Sequence, residues 1–269
     1  MSNATFCPVA LGDSIGSSDV HLQDAHRLDT YPDKLQWLIR ALQQASTDLT
    51  PLHIKLLLQT IQISEQTLMP WADFSHPVTD SYGRKLVFDG GHFEIMVMSW
   101  RPGDVSAIHD HGSTQWGAVQ SFGEADHYTY QFASGVLGEP IATPYRPGMV
   151  RAVDHSLIHQ MGNTGAHPFL SLHVYGVPQS QSAVGPITGD ARIFDLLEGC
   201  IQHTDGGVFF GLPEEQVNRR LCGLRGAHKA MRLHHCQMSD RFRRILSVQA
   251  NPILQSKLEQ LDRWLYVYG

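Results

Sequence analysis

No run of eighteen apolar residues occurs anywhere in the 269-residue sequence, which leaves no candidate for a membrane-spanning helix. Cysteine is scarce. Cys7, Cys200, Cys222 and Cys236 are widely scattered, none forms a C-x-x-C pair, and a chain of this length needs no disulfide framework. A reducing, cytoplasmic setting is therefore expected, and the first residues agree by lacking a basic stretch followed by an apolar run. Basic charge is also in short supply. Lys and Arg number 20 against 26 Asp and Glu, a formal net charge of -6, so there is no electrostatic footprint for nucleic acid. Repeats and low-complexity linkers are missing too, so one compact domain is the simplest organisation.

What is present is ordinary in bulk and patterned in detail. Hydrophobic residues make up 42% and charged residues 17%, as in a globular protein with a sizeable core. Residues 1–28 show no clear period and read as a loose arm. Pro32 to Ala45 reads as a helix with Leu35, Leu38, Ile39 and Leu42 on one face. Thr50 caps a second helix that begins at Pro51 and buries Leu57, Leu58 and Ile61. From about Arg84 to Val177 short alternating runs are divided by Gly, Pro and Asp, the pattern of an antiparallel β-barrel or jelly roll. Helical character is expected again after about residue 210, ending in a helix with Leu254, Leu258, Leu261 and Leu265 on one face. The reading is mainly β. It places N-terminal helices and the barrel in residues 29–215, with a helical extension, 216–269, packed on the same domain as a monomer or weak homo-oligomer.

Sixteen histidines are enough that no single one carries weight; spacing has to. His109-Asp110-His111 follows the strand-like run Phe93 to Trp100 and the turn Arg101-Pro102-Gly103-Asp104. Side chains in a strand alternate faces, so His109 and His111 point one way and Asp110 the other. His159 lies beyond the Pro147-Gly148 turn and a strand around Met149 to Val153, with Asn163 four residues later. His155 is the competing candidate, and the spacing to Asn163 favours His159. Three imidazoles around one point suit a transition metal. Downstream, Ser171, His173 and Tyr175 share one strand face and can form a hydroxyl–imidazole–phenol relay. Arg84 is a fixed cation able to grip a carboxylate bidentately. The bland alternatives are a surface pair of Arg84 with Asp89 and a core role for Tyr175. His234-His235-Cys236 reads as part of a solvated helix face rather than a second metal or anion site, because adjacent helical residues do not face one another. His92, His127 and His167 have no partner pattern and read as structural or surface residues.

The two histidine motifs resemble those of the cupin superfamily: Gly103, His109, His111 and Gly123 in the first, then Pro147-Gly148, His159 and Asn163 in the second. Where cupins carry a Glu ligand this chain has Trp116, so three neutral ligands are implied. Over roughly residues 30–215 the chain is similar to the cysteine dioxygenase family. The matching segments are Tyr82-Gly83-Arg84-Lys85-Leu86-Val87, Trp100, the Ser171-His173-Tyr175 row, Ala191 to Asp195, and Gly206 to Phe210. That resemblance implies Fe(II) held by His109, His111 and His159, with positions open for a thiolate and O2. It implies Arg84 on the substrate carboxylate, Tyr82 and Trp116 at the substrate, and Tyr175 hydrogen-bonding oxygen or carboxylate while His173 and Ser171 orient it. The product would be a sulfinic acid, with L-cysteine favoured as substrate over 3-mercaptopropionate because of Arg84. Animal members carry a Cys joined to the active-site Tyr; it aligns with Trp116 or Gly117, so that thioether is expected to be missing. Two other classes stay open: a non-oxidative Zn or Mn cupin (isomerase or lyase) and a metal-free binding module.

Overall fold

The computed structural model describes residues 28–45, 48–180, 187–205, 209–210 and 214–269; the expected N-terminal arm, apart from Leu28, and Gly206 to Val208 lie outside them. The fold is the expected cupin jelly roll flanked by helices. Helix α1 spans Asp33–Gln43, preceded by Pro32, and α2 spans Pro51–Ile61, where the Thr50 hydroxyl accepts from the His53 amide as a true N-cap. In α2 Leu58 and Ile61 are buried as expected, but the third buried residue is Ile54, with Leu57 only half-buried.

Fourteen strands follow among the described residues: β1 (Gly83–Asp89), β2 (Phe93–Trp100), β3 (Trp116–Ser121), β4 (Asp126–Tyr130), β5 (Phe132–Ala133), β6 (Val136–Leu137), β7 (Ile141–Ala142), β8 (Val150–Val153), β9 (Ile158–Gly162), β10 (Phe169–Gly176), β11 (Ala191–Asp195), β12 (Cys200–Thr204), β13 (Arg219–Cys222) and β14 (Arg225–Gly226). One sheet has the order β1-β2-β10-β3-β8. The facing layer is made of β7-β4-β9 and β11-β12-β13, joined through the stretch 105–109, whose His109 bridges both His159 of β9 and Ile193 of β11.

Every residue of β10 is buried, because both faces of its sheet are covered. Leu170, Leu172 and Val174 point outward into a cluster with Leu35, Leu38, Ile54 and Leu58 of the N-terminal helices. At about 1.5–3 kcal/mol per buried side chain, that contact clamps the helices to the sheet. The alternate residues point inward, between the layers, where Met96, Met98, Val119, Met161 and Ile193 form a second cluster. Helices α3 (His228–Leu246) and α4 (Pro252–Tyr268) contribute Met238, Phe242, Leu258 and Leu261 to this inner cluster.

Two expectations about the extension are corrected. After the single 3-10 turn Glu214–Gln216 it does not go on as helix: β13 adds an edge strand to β12, because strand pairing outweighs the weak local preference of Arg219 to Cys222. Nor are His234 and His235 solvated. Both are buried, His234 against Phe210 and His235 edge-on to Trp264 of α4, since α3 is covered on that side.

Candidate metal centre

The inner face of β10 pairs in register with β2 on one side and β3 on the other. Ser171 lies opposite Met98 and Ser121, His173 opposite Met96 and Val119, and Tyr175 opposite Glu94 and Gly117. His173 and Tyr175, with Met96 and Met98, meet His109, His111 and His159 from the other layer around one cavity. Tyr82, Arg84, Trp100, Met161 and Thr188 complete much of its wall.

His109, His111 and His159 are all buried and offer ligand nitrogens within 4.8 Å of one another. The His159 Nε2 stands 3.1 Å from the Nε2 of each of the other two. His109 Nδ1 lies 2.8 Å from the Ala107 carbonyl oxygen, which can only accept, so the proton sits on Nδ1 and the lone pair on Nε2. Burial lowers the His109 imidazole to about pH 4 and, with the neighbouring imidazoles, pushes His111 and His159 well below the usual histidine range. With a cation among them all three Nε2 lone pairs can turn inward; without one, an Nε2–H of His159 can bridge to a neighbour. Ligands about 2.1 Å from a metal and at right angles are about 3.0 Å apart, so the triad fits such an ion. His155, the alternative ligand, is exposed on the turn before β9.

Neighbouring residues hold the triad in place. Asp110 accepts from the backbone amides of Gly112 and Arg192 and from the Arg192 guanidinium, tying the ligand segment to β11. Gly112 has φ +54, and a Cβ there would fall 2.1 Å from the Gly189 oxygen, so only glycine allows the chain to turn between His111 and β3. Asn163 braces the turn instead of facing the ion: its amide donates to the carbonyls of Trp100 and His167.

His127 was missed by spacing. Its Nε2 lies 2.7 Å from His159 Nδ1 and its Nδ1 lies 2.7 Å from the Thr143 hydroxyl. With the His159 lone pair committed to a metal, its Nδ1–H donates to His127, whose own Nδ1–H donates to Thr143. Burial, reinforced by Arg151, lowers His127 to about pH 4, so it serves as a neutral acceptor.

The relay is longer than the three residues read from sequence. Trp100 Nε1 donates to Ser171 Oγ at 2.8 Å, Ser171 Oγ contacts His173 Nε2 at 2.8 Å, and His173 Nδ1 contacts the Tyr175 hydroxyl at 2.8 Å. An indole N–H can only donate, so Ser171 Oγ accepts there and keeps its own proton for His173 Nε2, which favours one order of protons along the row. Ser171 accepts and donates on to His173 Nε2; His173 carries its proton on Nδ1 and donates to Tyr175. The Tyr175 proton is left free to point into the cavity. Burial, with a smaller push from His109, lowers His173 to about pH 3, and burial raises the Tyr175 phenol well above its usual range, so both stay neutral. Tyr82 stacks on Trp100 with ring centroids 4.7 Å apart and supports the head of the relay.

Trp116 requires a correction. It does not line the cavity. Its ring packs over Gly176 on the helix side of the sheet, in the cluster with Leu172 and Val174. Strand alternation is the reason: Tyr175 pairs with Gly117, so Gly117 shares its face and Trp116 takes the other. A Cβ at Gly117 would sit 2.7 Å from the Tyr175 ring. No cysteine lines the cavity among the described residues.

The model of the family "Cysteine dioxygenase type I" matches residues 38–184, more than half of the chain. Cysteine dioxygenase type 1 of Danio rerio is 26% identical over 156 residues, which cover 55% of this chain and 76% of that protein. A conserved protein with a double-stranded β-helix domain from Klebsiella pneumoniae is 18% identical, covers 42% of this chain and 90% of its own, and has a TM-score of 0.33. For an RmlC-like cupin from Desulfovibrio desulfuricans the values are 16%, 39%, 92% and 0.29. On the family match, this chain belongs to the cysteine dioxygenase type I family of cupins.

Proposed function

We propose that the protein is an Fe(II)-dependent thiol dioxygenase that converts L-cysteine to cysteine sulfinic acid. The observation that carries this reading is the convergence of three neutral imidazoles and a proton-directed Tyr175 on one cavity that also holds Arg84. His109, His111 and His159 would hold the iron. When bound, it would supply open positions for thiolate and O2 and the electrons that let them react. The balance is simple: RSH plus O2 gives RSO2H, with no further reductant.

The chain's own groups do the rest. The all-nitrogen ligand set leaves the ion's positive charge uncompensated, which favours an anionic sulfur. Arg84, half-buried on β1, binds the carboxylate and fixes the distance from carboxylate to sulfur. Tyr175 presents its hydroxyl proton to the reacting groups, held there by His173, Ser171 and Trp100. Met96, Met98 and Met161 line the remainder of the wall and exclude water. Glu94 stands opposite Tyr175 in register and within electrostatic reach of Arg84. An acid beside the cation suits an α-amino acid zwitterion better than a simple thiol acid such as 3-mercaptopropionate. The test is oxygen uptake by Fe(II)-loaded protein across a panel of thiols, with mass spectrometry for a gain of two oxygens. Uptake with cysteine ahead of 3-mercaptopropionate is expected. No uptake with any small thiol, or equal activity of the zinc form without O2, overturns the reading.

A further inference from the structure

Two cysteines that are distant in sequence, Cys200 and Cys222, are neighbours in space. β12 and β13 run antiparallel with Cys200 directly opposite Cys222. The neighbouring Gly223 amide donates to the Gly199 carbonyl at 3.0 Å, so Gly199 and Gly223 form a hydrogen-bonded pair. Hydrogen-bonded and non-hydrogen-bonded pairs alternate along an antiparallel ladder, which makes Cys200–Cys222 a non-hydrogen-bonded pair. In such pairs the Cα atoms are about 4.5 Å apart and the side chains, on one face, approach most closely; this lies inside the range a disulfide spans. Both thiols are free, with Cys200 buried and Cys222 exposed. Glycines in the left-handed region follow the pair at Gly223 (φ +100) and precede it at Gly199 (φ +60), so the ladder ends there and the pair sits at its accessible end.

We propose that Cys200 and Cys222 are a redox modification site that closes into a reversible cross-strand disulfide on reaction with small thiol-derived disulfides. The exposed Cys222, as thiolate, attacks one sulfur of RSSR, forms a mixed disulfide and expels RS⁻, which takes up a proton. Cys200 then loses its proton to solvent, attacks the Cys222 sulfur and expels the second RS⁻. Two protein thiols and RSSR become one protein disulfide and two RSH; the protein is oxidised and the small disulfide reduced. Burial raises the Cys200 thiol, as does Asp195, so the exposed Cys222 is the thiol that meets RSSR first. The bond joins β13 to the sheet whose β11 carries Arg192, the partner of Asp110 between two of the triad histidines. The proposal stands whether or not the cavity oxidises thiols.

The experiment treats the reduced full-length chain with cystine, then counts thiols and maps peptides without reduction. A single cross-linked peptide pair joining Cys200 to Cys222 is expected, reversed by dithiothreitol, with a melting temperature raised by several degrees. Cys200→Ser, lacking the resolving thiol, accumulates a stable mixed disulfide at Cys222, and Cys222→Ser leaves Cys200 a free thiol. The proposal is overturned if the native chain accumulates the mixed disulfide at Cys222 with Cys200 still free. It is equally overturned if Cys222 bridges to Cys236 or to another chain, or if cystine leaves both thiols unchanged.

Discussion

Replacing His127 with Phe removes an acceptor without opening a large hole, since the ring is buried and Phe fills a similar space. What is lost is the partner of His159 Nδ1, 2.7 Å away. The loss bears mainly on the metal-bound state. A metal needs the lone pair on His159 Nε2, and this forces the proton onto Nδ1, where nothing would now receive it. Without metal the ring is free to take the other tautomer. A buried donor left unpaired costs about 1–3 kcal/mol, and at about 1.4 kcal/mol per decade that agrees with the 10–100-fold loss of metal affinity typical of such outer partners. The assay is a Co(II) titration against a competing chelator, with a thermal melt of the metal-free protein alongside. His127→Phe is expected to bind more than tenfold more weakly while melting within a few degrees of wild type. His127→Gln, whose carboxamide oxygen can accept, recovers most of the loss. A Phe variant that binds within twofold of wild type, or a Gln variant no better than Phe, refutes the reasoning.

Trp100→Phe keeps the stacking on Tyr82 but removes the donor that orients the relay; kcat is expected to fall roughly tenfold or more with KM little changed, whereas Tyr175→Phe lowers kcat further. Gly117→Ala drives a methyl against the Tyr175 ring and the Val174 oxygen; a loss of about 1–3 kcal/mol in urea unfolding is expected together with a fall in kcat. Asp104 is fully buried and meets His76, Arg101 and Arg244, so Asp104→Asn should cost about 3 kcal/mol in the same assay. His234 is buried with Nε2 unpartnered and is lowered to about pH 3, so the unfolded chain binds its proton first. Its stabilising contribution is intact above the unfolded value of 6.5 and is lost as pH falls from there towards 3. His234→Phe should flatten melting temperature against pH across that window.

Much of the site was legible because it obeys short-range rules. The Thr50 cap, the alternation in β10 and the histidine spacing are local patterns, and each places its residues on a definite face. What was not legible depends on pairing between distant strands. Trp116 and Gly117 differ by one residue, and only the register with Tyr175 decides which of them meets the cavity. His127 lies diagonal to His159 across β4 and β9, where Thr129 is the direct partner, so no one-dimensional spacing joins them. His234 and His235 look like a solvated pair until α4 and Phe210 cover them. Cys200 and Cys222 are separated by twenty-one residues in the chain and share a rung of the ladder.

The bridge from His109 to both His159 and Ile193 carries the support of the ligand segment beyond the region of family likeness. A fragment stopped at residue 184 would keep every residue of the triad and the relay. It would lose β11, and with it the strand beside His109 and the Arg192 clamp on Asp110. The ligand segment would become a bare sheet edge, and the inner cluster would lose Met238, Phe242, Leu258 and Leu261. Transplanting this chemistry to another protein therefore requires taking the scaffold through α4, well past the last residue that touches the cavity.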